Sequence, residues 1–163
     1  MITEHLTSFS VVILTQFLLL FVHALSVGEL RNLAKYATQG ALVGLPFGVF
    51  CDLLLGHTLG FFTYELGFVW WFLVINGTFS YGLMVANVIL LFKHSFLNMI
   101  SWVLLVAGTY EVINYFYPVW TWTYMPYGPA MLIVLFLLYM AFTWGMMVTL
   151  RTVFKIRFKL VPW

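Results

Sequence analysis

Apolar residues run along this chain in five long blocks, at roughly 8–28, 37–57, 68–92, 97–117 and 128–150, separated by short polar or aromatic breaks. About 20 consecutive apolar residues cross the hydrocarbon core of a bilayer as a helix. The pattern therefore predicts an all-α fold, a polytopic integral membrane bundle of five transmembrane helices. The third block is long enough to tilt or to extend past the core. A single membrane domain accounts for residues 1–163, with a first helix and inner loop (1–36), two hairpins (37–93 and 94–155) and a basic tail (156–163).

The few polar positions inside the blocks are spaced, not scattered. In the second block Gly40, Gly44, Gly48, Asp52 and Gly56 recur at every fourth residue, which places them on one helix face. Small residues on such a face let another backbone approach closely, so Asp52 is expected to point at a neighbouring helix. It is either an acid paired with a neighbour's asparagine in a packing seam or an acid held in a dry pocket. The Gly40/Gly44/Gly48 face is also the expected contact for a homo- or hetero-oligomer, and Pro46 predicts a kink. In the third block Asn76, Ser80 and Asn87 share a face with Leu83; in the fourth, Ser101, Gly108 and Glu111 form a stripe with Asn114 one turn beyond. The first block offers Gln16 and His23 on one side, with His23 expected in the inner half as a packed, hydrogen-bonding residue.

Two blocks repeat as a pair. Asp52 is followed by Phe-Thr-Tyr at 62–64, and Glu111 by Trp-Thr-Tyr at 122–124. Tyr81-Gly-Leu-Met-Val then matches Trp144-Gly-Met-Met-Val, and each copy ends in Phe-Lys, at 92–93 and 154–155. A parallel repeat implies two hairpins related by an axis along the membrane normal, with a binding site at their interface.

Composition changes the solvent. The chain is 64% hydrophobic and 20% aromatic, with only 7% charged residues, where a soluble domain carries roughly a quarter. The net charge of +2 offers no basic face for nucleic acid. One cysteine excludes an internal disulfide or a multi-cysteine metal site. His5, His57 and His94 lack metal-site spacing, so no metal and no cofactor is expected. Residues 1–8 hold no Lys or Arg ahead of the apolar run, so no cleaved signal peptide is expected.

Charge also sets direction. Arg31, Lys35, Lys93, Arg151, Lys155, Arg157 and Lys159 all fall at one end of the blocks. The positive-inside rule puts that end in the cytoplasm and the amino terminus outside, giving a multi-pass protein of the cell inner membrane. The opposite loops carry no cation but hold Phe61, Phe62, Tyr64, Phe116, Tyr117, Trp120, Trp122, Tyr124 and Tyr127. This is an interfacial aromatic belt or the lid of an outer pocket. The inner loops are poorer in aromatics, which favours the lid.

Ionisable side chains at membrane depth are costly and mark functional sites. Asp52 and Glu111 are the candidate catalytic pair. Asn76, Asn114 and Tyr110 are expected at the same depth, and Tyr64, Trp122, Tyr124 and Glu65 above them, as substrate-binding residues. One carboxylic acid held neutral donates a proton while a second accepts one, and aromatic faces shelter a cation. Such a set suits acid–base chemistry on a polyene or isoprenoid lipid.

The run from Asp52 through Gly56 to Phe62-Thr-Tyr64 resembles the acid, glycine and aromatic-x-Tyr pattern of integral-membrane carotenoid-biosynthesis proteins. These are the heterodimeric-type lycopene cyclases and the bacterioruberin-type carotenoid hydratases. The resemblance implies a helical membrane fold of repeated units and a cofactor-independent reaction on a long polyene. It implies site roles for Asp52 and Tyr64 and, through the repeat, for Glu111 and Tyr124. Where the cyclases carry Pro-x-Glu-Glu, this chain has Gly67-Phe-Val-Trp-Trp. Two further readings stand beside this one. A small proton-coupled transporter or lipid-handling protein would use the acids as a relay. A structural subunit of a membrane complex would use the glycine face for a partner and the basic tail for anionic lipid.

Overall fold

A computed structural model describes residues 2–94, 96–124 and 128–152. Each apolar block is helical. Helix α1 covers Ile2–Ser26, and α2 covers Leu33–Cys51 and continues into a π-helical stretch, Asp52–Thr58. The third block is one rod of three parts: α3 (Trp70–Ile75), a π-helical stretch at Asn76–Tyr81, and α4 (Gly82–Leu91). Helices α5 (Phe96–Phe116) and α6 (Pro129–Thr152) complete the bundle. Five spans are long and apolar enough to cross a membrane, and the chain reads as a multi-pass membrane protein.

The first helix begins several residues before its apolar block. Thr7, Ser8, Ser10 and Thr15 each return a hydroxyl hydrogen bond to the carbonyl four residues earlier. This satisfies their polarity within the helix, so a hydroxyl-rich start does not delay it. Pro46 lies inside α2, which runs on to Cys51.

The rod of the third block is the centre of the bundle; Val85, Ala86, Val88, Ile89, Leu90 and Leu91 are all buried. Against it α2 packs backbone to backbone. A methyl placed on Gly40 or Gly44 would run into the Gly82 backbone, and one on Gly48 would meet the Tyr81 ring at 2.6 Å. The contact is reciprocal, since a methyl on Gly77 would lie 2.9 Å from the Leu45 carbonyl oxygen. The Gly40/Gly44/Gly48 face, expected to let a neighbouring helix approach closely, packs against the chain's own third span.

The aromatic loops are not wholly irregular, as an all-α reading expects. Strand β1 (Phe62–Tyr64) pairs antiparallel with β2 (Trp120–Trp122), with Phe62 opposite Trp122, Thr63 opposite Thr121, and Tyr64 opposite Trp120. Aromatic and β-branched residues suit a pleated surface, and period-two alternation sends the four rings to one face and both threonines to the exposed one. The ribbon ties the two hairpins together at one end of the bundle. At the other end Lys93 lies 3.1 Å from Glu29, joining the loop after α1 to the loop after α4.

The stretches matched in sequence at Tyr81–Val85 and Trp144–Val148 have unlike surroundings. Tyr81 is partly buried and a methyl on Gly82 would lie 2.9 Å from Ala41 Cα, whereas Trp144 is 70% exposed and a methyl on Gly145 would meet nothing within 4 Å. The second Phe-Lys, the basic residues Lys155, Arg157 and Lys159, and Tyr127 lie outside the described residues.

Candidate functional site

Asp52 opens one π-helical stretch and Asn76 opens the other, and the two side chains meet. Asn76 Nδ2 donates to Asp52 Oδ2 at 3.0 Å and also reaches the Tyr64 hydroxyl at 2.9 Å. Two phenols, Tyr64 and Tyr81, each donate to Asp52 Oδ1 at 2.8 Å. Asp52 is fully buried, and three donors from two elements, β1 and the π-helical stretch Asn76–Tyr81, engage both of its oxygens. A π turn rotates the residues that follow it relative to a regular helix and is frequent at functional sites; here it presents the acid and the amide to each other.

Glu111 of α5 has a matching set. The Trp122 indole donates to Oε2 at 3.2 Å and the Tyr139 hydroxyl to Oε1 at 3.1 Å. Asp52 thus takes an aromatic donor twelve residues ahead and a tyrosine 29 ahead, and Glu111 takes them at eleven and 28. Trp122, not Tyr124, is the ribbon's donor to Glu111.

The partners of both acids line one cavity of about 300 Å³. Tyr64, Asn76 and Tyr81 face it from the Asp52 side, Trp122 and Tyr139 from the Glu111 side. Neither carboxylate lines it; each stands one side chain behind the wall. The ribbon closes one end, with Phe62 and Trp122 edge to face at 5.7 Å. Helix α6 contributes aliphatic side chains such as Leu135 and Leu138.

The other expected residues separate by depth. Tyr110 is buried and lines the cavity, its ring 6.3 Å from that of Tyr139. Asn114 does not face the cavity but holds the turn into β2. Its Oδ1 accepts from the Val119 and Trp120 amides at 2.9 and 3.1 Å, and its Nδ2 donates to the Trp120 carbonyl at 2.8 Å. Tyr124 is 66% exposed at the mouth, against Phe61. Glu65 sits on the outer face of the ribbon, accepting from Thr121 at 3.1 Å. Tyr81 and Tyr139 were not anticipated from the sequence; their shared spacing behind each acid was the available signal.

A second polar cluster occupies the end away from the ribbon. His23 Nδ1 lies 3.0 Å from Asn87 Oδ1, and its Nε2 lies 2.7 Å from Nε2 of His94. Asn87 Nδ2 donates to the Leu83 carbonyl, which leaves its oxygen to accept from His23 Nδ1–H. Neutral His23 then accepts from His94 at its other nitrogen. Trp102 stacks on His23 at 4.3 Å. A small cavity of about 20 Å³ adjoins His23, Asn87 and Thr143 and shares Met84 and Tyr139 with the larger one. Among the described residues no group of three or more His, Cys, Asp or Glu is placed to hold a metal ion.

No protein-family model matches this chain, and no curated protein or solved structure matches it either.

Proposed function

We propose that the chain binds a lipid-like molecule, of isoprenoid or polyene class, in the ribbon-capped cavity and performs cofactor-independent acid–base chemistry on it. The observation that carries this reading is that the hydrogen-bond partners of two buried carboxylates line one and the same aromatic cavity. Ligand pockets are mostly apolar with a few placed polar groups, and this wall has that composition. The chemistry is redox-neutral. A proton delivered to one carbon of a double bond leaves a cation, which the faces of rings such as Tyr110 and Phe142 stabilise. Loss of a proton from a neighbouring carbon to the other side restores neutrality, giving an isomerised or cyclised polyene. The phenols of Tyr64, Tyr81 and Tyr139 meet the substrate, and Asp52 and Glu111 supply or take up the proton through them. The resemblance to carotenoid-biosynthesis proteins supports the same substrate class. The positive-inside bias supports a cytoplasmic membrane with the ribbon on the outer side.

The test is expression in a lycopene-accumulating host. The wild-type chain alters the pigment profile, and Asp52→Asn and Glu111→Gln each abolish the change. Identical pigments with and without the wild-type chain would remove the reading.

A proton-coupled transporter is the second reading, and one observation favours it. The His94–His23–Asn87 chain runs from the cation-bearing end toward Tyr139, and a 20 Å³ cavity beside it holds about one water. In proteoliposomes this reading expects proton uptake that His23→Phe eliminates.

A further inference from the structure

The two carboxyls share a pattern of partners but not its strength. Asp52 takes three donors, at 2.8, 2.8 and 3.0 Å, spread over both oxygens. Glu111 takes two, at 3.1 and 3.2 Å, one on each oxygen. The missing third is a counterpart of Asn76, which stands 24 residues after Asp52. The corresponding place behind Glu111, one residue nearer as for its other two partners, holds Val134, which has nothing to donate. Hydrogen bonds donated to a carboxylate favour its charged form, so the two settings suit different forms of the acid.

Donor and acceptor types sharpen the difference. The Asn76 amide nitrogen can only donate, and it faces Asp52 Oδ2 and the Tyr64 oxygen together. A proton on Asp52 Oδ2 would point at that donor, and one on Oδ1 would turn a phenol donor away. At Glu111 the Trp122 indole, also only a donor, holds Oε2. Oε1 faces the Tyr139 hydroxyl, which donates or accepts as it turns about its C–O bond. A proton on Oε1 therefore keeps both contacts, with Glu111 donating to Tyr139 and the indole still donating to Oε2.

We infer that Glu111 is the acid of the pair and Asp52 the base, with the working proton resting on Glu111 before reaction. The inference depends on the acid–base reading of the cavity and gives it a direction. Tyr139 hands its hydroxyl proton to one carbon of a double bond, whose π electrons form the new C–H bond, and takes the Glu111 proton in exchange. The resulting cation loses a proton from a neighbouring carbon to the oxygen of Tyr64 or Tyr81, and the C–H electrons close a new double bond. That phenol passes its own proton to Asp52. The lipid keeps its formula, and one proton has moved from Glu111 to Asp52. Its return to Glu111 after product release resets the pair.

The experiment is infrared spectroscopy of the full chain in an ester-free detergent near neutral pH, where the carbonyl stretch of a protonated carboxylic acid stands apart from carboxylate bands. The wild-type protein is expected to show such a stretch, lost in Glu111→Gln and kept in Asp52→Asn. No such stretch in the wild type, its survival in Glu111→Gln, or its loss in Asp52→Asn overturns the assignment. If Asp52→Asn fails to fold, the Glu111→Gln spectrum decides alone. Thermal unfolding reads the same asymmetry. Glu111→Gln, which copies the neutral acid, should unfold near the wild-type temperature, and Asp52→Asn, which sets an amide against the Asn76 amide, several degrees lower. Equal losses in the two variants contradict the assignment. Neither readout needs a substrate, so the assignment can fail while the pigment test succeeds, and the reverse.

Discussion

The Tyr64 hydroxyl donates to Asp52 Oδ1 at 2.8 Å, fastening the ribbon to the second span across twelve residues. Burial, and then the neighbouring Asp52 charge, push the Tyr64 phenol well above its ordinary value, so it remains a donor throughout the working pH range. Trp122 fastens the other strand to Glu111 in the same manner, at 3.2 Å. The lid of the cavity is therefore held by the two acids beneath it. Tyr64→Phe is expected to cost about 1 kcal/mol of stability, read by thermal unfolding in detergent. It should also loosen lipid binding more than it lowers stability.

The glycine contact between α2 and the third span makes a sharper prediction. Gly44→Ala puts a methyl into the Gly82 backbone, where neither side has a flexible atom to yield. Overpacking of that kind costs roughly 1–3 kcal/mol. Gly108→Ala and Gly145→Ala, where nothing lies within 4 Å, should be neutral or slightly stabilising, since alanine is the better helix former. Equal effects at all three positions would contradict the packing.

How much of this was legible in the sequence differs by residue. The five helices follow from apolar blocks that leave no other solvent than lipid. The meeting of Asp52 with Asn76 follows from the glycine face, because close backbone approach brings the next acid on that face against the neighbouring helix. Tyr139 was not legible, because a lone tyrosine in an aromatic-rich block carries no local signal; only its 28-residue spacing from Glu111 sets it apart. The strands were hidden because Phe-Thr-Tyr and Trp-Thr-Trp are too short to show alternation and pair only with each other. His23 and His94 are 71 residues apart, and nothing in their spacing announces a contact that the fold of α1 against the α4 end creates.

The Glu29 cluster gives a pH prediction. Hydrogen bonds from Asn32, then from Lys93 and Tyr36, hold the Glu29 carboxyl down at about 2. A depressed carboxyl stabilises the fold above its unfolded value, near 4.3, and that contribution is lost as pH falls from there through the folded value. The unfolding temperature should be flat with respect to this group near neutrality and fall below about pH 4.3. Glu29→Gln should remove that part of the fall, and an unchanged profile would contradict the cluster.

His94 gives a separate window. Its burial lowers the imidazole below the ordinary value near 6.5. A lowered histidine favours the neutral form in the fold, so its stabilisation is present above 6.5 and is lost as pH falls below that value. His94→Gln should flatten the profile just below about pH 6.5 and leave the Glu29 window intact. Loss of both windows together would mean that the end of the bundle unfolds as one unit.

Photoaffinity labelling tests the central claim most directly, that one lipid cavity lies between the partners of both acids. A diazirine-bearing polyprenol is photolysed with the protein in nanodiscs and the adducts are mapped by mass spectrometry. The account predicts adducts on both walls, in the segment holding Tyr64 and in that holding Tyr139, each competed by excess unlabelled lipid. Adducts confined to the outward-facing residues Leu42, Phe50 and Trp144, which are 71%, 60% and 70% exposed, would contradict it.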